Sequence, residues 1–207
     1  MKKAIRLSAF ILSIAIIISV FAAVPASAAS TLKSGYYTYS VTNGEATITD
    51  VDESISGDIT IPSSLDGYPV TSIGGMAFYN CSSLKSINIP YSVTKIGEQA
   101  FTVCSGLTNI KIPDSVIGIG DGAFSHCSSL RSITIPKKIT KIGEWVFLCC
   151  SNLESATIPE SVIYIYSSAF DLCSSNLVIR CAPGSYAEEY AKNKGIKFQY
   201  GSASSSD

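Results

Sequence analysis

The segment LKSINIPYSVTKIGEQAFTVC, residues 84–104, contains the pattern that decides the fold of this chain. Phe101 within it belongs to a column that recurs every 23 residues, and four further columns follow the same step. The repeated residues are Phe78, Phe101, Phe124, Phe147 and Phe170; Cys81, Cys104, Cys127, Cys150 and Cys173; Ile73, Ile96, Ile119, Ile142 and Ile165; Pro90, Pro113, Pro136 and Pro159; and Leu84, Leu107, Leu130 and Leu153, with Leu177 one residue out of register. Columns in phase at this period predict a solenoid of stacked coils.

Each repeat contains a strand and a return segment. Apolar and polar residues alternate from Leu107 to Ile112, as in a half-buried strand. Pro113 has no N–H to donate to a ladder, so we expect the strand to end there. Val116 begins a second apolar stretch, which indicates another short strand. Residues 121–124, DGAF, are long enough for one helical turn.

The consensus L-x-x-I-x-I-P-x-x-V-x-x-I-G-x-x-A-F-x-x-C resembles the leucine-rich repeat family in its bacterial BspA-like, or Treponema-type, form. The match covers about residues 59–181. It implies an α/β repeat solenoid: a right-handed coil with short parallel strands on the concave face and short helical turns on the convex side. Val146, Ala156 and Tyr166 depart from the consensus, so we expect less regular packing in the last two coils.

Both ends of the repeat region have the character of caps, which a solenoid needs to cover its terminal apolar faces. Residues 30–58 form the predicted N-terminal β cap, a hairpin that turns at Asn43-Gly44. Residues 182–200 form the predicted C-terminal cap, a short helix followed by a strand. Ser185 is the expected helix N-cap, and Gly195 the expected stop. Residues 201–207 are predicted to be a disordered tail.

Residues 1–28 have the features of a signal peptide. Basic residues precede an apolar run from Leu7 to Val24, and Ala26-Ser27-Ala28 fits a cleavage site. An uncleaved membrane anchor is the alternative, because the apolar run is long. Either reading predicts an exported protein, secreted or at the cell surface.

The remaining chain has 12 basic and 16 acidic residues, a net charge of −4. Because the chain is mildly acidic, we do not expect it to bind nucleic acid. We also do not expect it to bind a membrane once the signal peptide is removed. We expect a monomer.

The segment VIGIGDGAF, residues 116–124, matches the dinucleotide fingerprint G-x-G-x-x-G/A through Gly118, Gly120 and Ala123. Only Gly120 and Ala123 belong to repeat columns, and a 23-residue coil has no room for the helix that this fingerprint requires. We therefore predict no cofactor.

The cysteine column predicts a ladder of buried, reduced thiols, because stacked side chains that point the same way do not suit disulfide geometry. Cys149 and Cys181 lie outside the column. Whether they form a disulfide with each other or with a neighbouring cysteine stays open. His126 is the sole histidine and is interpreted as a surface residue rather than a base for Cys127. No catalytic residue and no metal site are predicted.

The candidate binding residues are the polar positions between the buried ones of the strands. They are Asn88, Asn109, Lys111, Thr134, Thr157 and Arg180. We expect a non-catalytic binding protein with a protein or surface glycan as ligand; the family resemblance implies adhesion, since some relatives bind host matrix proteins or other cells. The alternatives are a structural accessory module of a surface assembly and a cysteine-dependent enzyme.

Overall fold

The structure, a computed structural model, describes residues 31–201. The predicted signal peptide, residues 1–28, and residues 202–207 of the predicted tail lie outside the described residues. Within residues 31–201 the chain forms sixteen strands and one helix. In chain order these are β1 Leu32–Ser34, β2 Tyr37–Thr42, β3 Glu45–Val51, β4 Gly57–Thr60, β5 Ser64–Leu65, β6 Tyr68–Ile73, β7 Leu84–Asn88, β8 Lys95–Ile96, β9 Asn109–Lys111, β10 Gly118–Ile119, β11 Ser132–Thr134, β12 Lys141–Ile142, β13 Ser155–Thr157, β14 Tyr164–Ile165, β15 Val178–Cys181, α1 Tyr186–Lys194 and β16 Lys197–Tyr200.

Two sets of parallel strands run along the stack of coils. The first, the main ladder, contains β4-β7-β9 and β11-β13-β15-β16, and the second ladder contains β6-β8-β10 and β12-β14. Equivalent residues of successive coils pair directly, as Ile87 does with Ile110 and Ile96 with Ile119. The predicted second short strand is confirmed, and the fold is a β-solenoid. The right-handed sense of the coil and the concavity of the main ladder stay predictions.

The helical turn predicted for each coil is wrong, and with it the α/β class. The return segment is a series of tight turns in which alternate N–H groups bond to the next coil. Phe101 N donates to the Ala123 oxygen at 2.8 Å, whereas Cys104 N donates to the Phe101 oxygen at 3.2 Å within its own coil. Gln99 and Val103 take positive φ angles of 54° and 63°. These left-handed residues interrupt the i→i−4 bonding that an α-helix needs.

The phenylalanine column forms the centre of the core. Phe78, Phe101, Phe124, Phe147 and Phe170 stack with ring centroids 4.9–5.6 Å apart and planes inclined by 7–24°. The first four rings have no exposed area, and Phe170 is also buried. Each such ring stabilises the fold by about 1.5–3 kcal/mol through apolar burial.

The predicted ladder of reduced thiols is confirmed. All seven cysteines lie in the described part of the chain, and each is free, including Cys149 and Cys181. Four column thiols donate to the carbonyl oxygen of a phenylalanine 26 residues earlier, at 3.0–3.2 Å. The pairs are Cys104 with Phe78, Cys127 with Phe101, Cys150 with Phe124 and Cys173 with Phe147.

The N-terminal hairpin is present as predicted: β2 and β3 pair antiparallel, with Asn43 and Gly44 at positive φ in the turn. Strand β3 then pairs parallel with β6, so the hairpin continues the second ladder. The first coil is longer than the others, and within it β5 and β6 form a second hairpin. Asp66 in its turn accepts hydrogen bonds from Tyr39 Oη at 2.7 Å and Ser34 Oγ at 3.0 Å.

The helix and strand expected after the last coil are also present. Ser185 is the N-cap and accepts a bond from Glu188 N, and Gly195 ends α1 in the left-handed conformation. Strand β16 pairs parallel with β15. The Tyr190 ring lies 6.0 Å from Phe170, the last ring of the core stack. The cap assignments and the domain boundaries 30–58, 59–181 and 182–200 stay predictions.

Irregular packing was expected in the last two coils, and the strand ladders are interrupted where the first of these coils meets the coil before it. Within the described residues no strand pairing joins β9 to β11 or β10 to β12. Asp121 Oδ1 instead accepts a bond from Glu144 N at 3.0 Å. A crevice of about 200 Å³ opens there, lined by residues that include Ile119 and Lys141. We call this interruption the seam.

Candidate functional site

The strand face is the exposed side of the main ladder, and the structure places all the predicted binding residues on it. Asn88 at the end of β7 pairs with Lys111 of β9. On the other side of the seam, Thr134 pairs with Thr157, which in turn pairs with Arg180. Paired positions of neighbouring strands lie about 5 Å apart, so their side chains form a row along the stack. Thr157 is half-buried, and the other five residues are exposed. Of these five, Arg180 is held by a hydrogen bond to a neighbouring side chain.

The seam divides this face. Asn88, Asn109 and Lys111 belong to the three-stranded β4-β7-β9 sheet. Thr134, Thr157 and Arg180 belong to the four-stranded β11-β13-β15-β16 sheet. The strand face therefore consists of two polar sheets side by side, and a ligand that touches both must cross the seam.

Hydrogen bonds order the two ends of the strand face. Ser86 Oγ donates to Asp58 Oδ1 at 2.7 Å, and Arg180 Nε donates to Ser155 Oγ at 3.2 Å. Among the described residues Lys111 forms no salt bridge. The middle of the face thus presents a free ammonium group and the free amide of Asn109.

Sequence reasoning missed the residues that extend this face at either end. Asp58 and Thr60 on β4 pair with Ser86 and Asn88, and the I-x-I-P pattern of the first coil could have identified them. Gln199 on β16 pairs with Arg180. No repeat signal marks Gln199, because β16 follows the helix and lies outside the 23-residue register.

The cysteines of the repeat column are poorly suited to nucleophilic chemistry. Burial raises the pKa of the Cys81 thiol to about 11 and that of Cys104 to about 12, and it holds the pKa of Cys127 well above the usual range. A thiolate is the reactive form of cysteine. His126 is exposed, and its Nδ1 lies 2.7 Å from Ser125 Oγ, while the Cys127 thiol bonds to the Phe101 oxygen. The structure brings no imidazole base to this thiol.

The segment VIGIGDGAF contains the whole of β10 and part of the turn that follows it. A Cβ atom on Gly120 would lie 2.6 Å from the carbonyl carbon of Gly97 in the preceding coil. The repeated glycine is therefore explained by close stacking of coils, whereas Gly118 faces open space. Within residues 31–201, no three His, Cys, Asp or Glu side chains gather as a metal-binding group.

Comparison with known families and structures agrees with this architecture. The sequence model described as BspA type leucine rich repeat region matches residues 56–183 in six copies. The chain is 34% identical to a Treponema pallidum leucine-rich repeat protein, with a TM-score of 0.66, over 73% of this chain and 71% of that one. A comparison with curated proteins finds no match.

Two further solved structures are described as surface-associated or antigenic. A leucine-rich cell surface protein from Faecalibacterium prausnitzii is 30% identical, with a TM-score of 0.69, over 78% of this chain and 42% of that chain. This chain thus spans less than half of that relative. The pneumococcal vaccine antigen PcpA shares the fold, with a TM-score of 0.57 at 13% identity over 83% of this chain and 48% of its own.

In the described part of the chain, no helix combines the length and apolar character required to cross a bilayer. The family match extends over well over half of the sequence, and the fold comparisons agree with it. The chain belongs to the BspA-type leucine-rich repeat family.

Proposed function

We propose that this protein is a non-catalytic binding protein, secreted or held at the cell surface, whose strand face contacts a protein or a surface glycan. The observation that carries the proposal is the set of mostly exposed polar side chains that are in register within each of the two sheets of the main ladder, one on each side of the seam. Solenoids commonly bind through such extended faces, because one coil after another adds to the same surface.

The chemistry of the strand face favours recognition by hydrogen bonds. Its predicted residues are amides, hydroxyls and two separated cations, Lys111 and Arg180, and they include no aromatic side chain. Asp58 lies at the first strand of the same face. This balanced set suits polar groups of a protein surface or sugar hydroxyls better than it suits a polyanion.

Export is part of the proposal. The cell-surface description of the Faecalibacterium relative supports it, as does the apolar segment before Pro25 in the sequence. Mass spectrometry of the protein recovered from the medium and from the cell envelope tests it. Cleavage after Ala28 is expected, and an intact N-terminus in the cytoplasm would contradict export.

A non-catalytic role is favoured over cysteine-dependent catalysis by the buried, protonated thiols described above. We expect a mild thiol reagent to leave the column thiols of the folded protein unmodified and to modify them after unfolding. Rapid modification of Cys127 in the folded protein, with a rate that rises near neutral pH, would favour an enzyme instead.

The direct experiment is a binding screen of the chain against matrix proteins and glycans. A strand-face variant, Lys111→Ala with Thr134→Ala, is compared with Lys138→Ala and Thr140→Ala, which remove the same side chains from exposed positions outside this face. We expect the first pair to weaken binding and the second to leave it unchanged. Equal effects of both pairs on every ligand would reject the strand face.

A structural role in a surface assembly is the second candidate. Strand β16 pairs with β15 and is the last strand of the main ladder within residues 31–201, so we expect its other edge to pair with another chain. Pull-downs with surface-layer components and with matrix proteins separate the two functions. Retention of surface-layer components alone, insensitive to the strand-face variant, favours the structural role.

A further inference from the structure

A groove lies between the last complete coil and the start of α1. Its volume is about 500 Å³, and its lining includes Glu160, Ile163, Pro183, Ser185, Tyr186 and Glu189. We call it the helix groove. Ile163 is 70% exposed, so this large apolar side chain contributes little to the core. The groove lies outside the strand face and shares no predicted binding residue with it.

Tyr186 is the aromatic residue in the lining of the helix groove, and it belongs to a cluster of rings that lies beside the groove. The Tyr186 ring lies 5.7 Å from Tyr164, which packs edge-on against Tyr166 at 5.0 Å. Lys141 Nζ sits 4.5 Å from the centroid of the Tyr166 ring. The cluster therefore already holds one cation over a ring face, an arrangement stabilised by the ring quadrupole.

Two carboxylates, those of Glu160 and Glu189, line the groove together with Tyr186. Within the described residues neither Glu160 nor Glu189 forms a salt bridge. The neighbouring Glu188 is different, because Lys192, Gly184 N and Tyr200 Oη all bind it. The groove thus combines apolar side chains, among them Ile163, with two carboxylates that no salt bridge within the described residues neutralises.

The groove residues depart from the preceding coil at equivalent positions. Glu160 replaces Lys137, Ile163 replaces Thr140, and Tyr164 replaces Lys141. These positions are exposed, so packing of the core does not require the exchange. The coil that faces α1 therefore carries an acidic and an apolar residue where the preceding coil carries a basic and a polar one; Asp114 and Ile117 hold the same columns two coils earlier.

We propose that the helix groove binds an arginine-bearing segment of a protein partner. The aliphatic part of the arginine lies on Ile163 and Tyr186, and the guanidinium group is held between Glu160 and Glu189. Arginine is favoured over lysine because its planar cation both stacks on aromatic rings and binds carboxylates in a forked geometry. The groove is a second interaction surface, independent of the strand face.

The test uses a fluorescent, capped hexapeptide, Gly-Ser-Arg-Arg-Ser-Gly, and the same peptide with citrulline in place of each arginine. Fluorescence anisotropy measures binding to the wild-type chain and to two groove variants: Glu160→Gln with Glu189→Gln, and Ile163→Thr. The matched control is Glu98→Gln with Glu154→Gln, two exposed carboxylates outside the groove. Thermal unfolding checks that every variant is folded.

We expect each groove variant to weaken arginine-peptide binding by about fivefold or more, and the control by less than about twofold. The citrulline peptide is expected to bind more weakly than the arginine peptide by a similar factor. Equal weakening by the control pair, or no effect of Ile163→Thr, would reduce the interaction to general charge attraction and overturn the proposal. Equal binding of the citrulline peptide, or absence of arginine-peptide binding, would also overturn it. Displacement of the labelled arginine peptide by a neutral oligosaccharide as effectively as by excess unlabelled arginine peptide would assign the groove to glycans and overturn the proposal.

Discussion

The Sγ atom of Cys127 lies 3.2 Å from the carbonyl oxygen of Phe101 and donates a hydrogen bond to it across the stack of coils. Cys127 itself has no exposed area. The cysteine column is therefore part of the hydrogen-bonded core, and ionisation of a thiol there would place an unpaired charge among apolar side chains.

Stability should fall above pH 9 because of these thiols. Burial raises the folded-state pKa of Cys104 from 9.0 to about 12. Below pH 9 this thiol is protonated in both states, and its contribution to stability is complete. Above pH 9 the unfolded chain ionises while the folded protein does not, so the free energy of unfolding falls until the pH passes about 12.

Urea unfolding at pH 8 and pH 10 measures this effect. Removing the thiol in Cys104→Ala should reduce the loss of stability between the two pH values by about 1 kcal/mol. Val116→Ala removes buried volume without a titrating group and should keep the wild-type pH dependence. An identical pH dependence in Cys104→Ala and wild type would contradict the raised pKa.

Phe124→Ala should lower the free energy of unfolding by about 3–5 kcal/mol, because it opens a cavity in the middle of the ring stack. Phe124 is fully buried between Phe101 and Phe147, at centroid distances of 5.4 and 5.6 Å. Leu172→Ala is the control, since that side chain is 74% exposed and should cost little. Chemical denaturation measures both values. An unchanged denaturation midpoint for Phe124→Ala would contradict a stabilising role of the phenylalanine stack.

Val103→Asn should stabilise the protein by about 1 kcal/mol, because asparagine tolerates the left-handed conformation better than a β-branched residue does. Val103 has a φ of 63°, and the equivalent position one coil earlier is Asn80, with a φ of 61°. Ile117→Asn replaces a β-branched residue by asparagine at an exposed site without positive φ, and it should not raise the Tm. Thermal melts of the two variants decide; a lower Tm for Val103→Asn would argue against backbone strain.

Asp121→Ala should loosen the seam. The variant loses the bond to Glu144 N, at a cost of about 1 kcal/mol, whereas Asp121→Asn keeps an acceptor oxygen. Hydrogen exchange read at the Glu144 amide is expected to be faster in Asp121→Ala and closer to wild type in Asp121→Asn. Uniformly faster exchange along the whole stack would mean that Asp121 supports global rather than local stability.

The contribution of Glu188, in the first turn of α1, to the free energy of unfolding should fall in acid. Lys192, then the Gly184 amide and the Tyr200 hydroxyl, lower the pKa of Glu188 from 4.5 to about 2. The lowered folded-state pKa means that Glu188 stabilises the fold fully above pH 4.5, and that this contribution is lost as the pH falls towards 2. Stability measured at pH 7 and pH 3 should therefore fall less in Glu188→Gln than in wild type. Glu154→Gln, an exposed carboxylate outside the cap, is the control.

The core and the order of elements were predictable from the amino-acid pattern. Phe101, Cys104 and Ile96 recur at a constant step, and a constant step places equivalent side chains above one another in any stacked coil. The hairpin at Asn43-Gly44 and the helix limits at Ser185 and Gly195 were predictable for a different reason. These residues favour their conformations locally, before any tertiary contact forms.

The return segments, the seam and the helix groove required the three-dimensional structure. A segment such as DGAF can bond within itself as a helical turn or outward to the next coil, and only stacking supplies the carbonyl oxygens that favour the second arrangement. In the same way Asp121 accepts a hydrogen bond from the amide of Glu144, 23 residues away. Glu160 and Glu189, which are distant in sequence, line the same groove. The repeat period therefore specifies which residues are buried, while contacts between coils specify how the backbone turns and which exposed side chains come together.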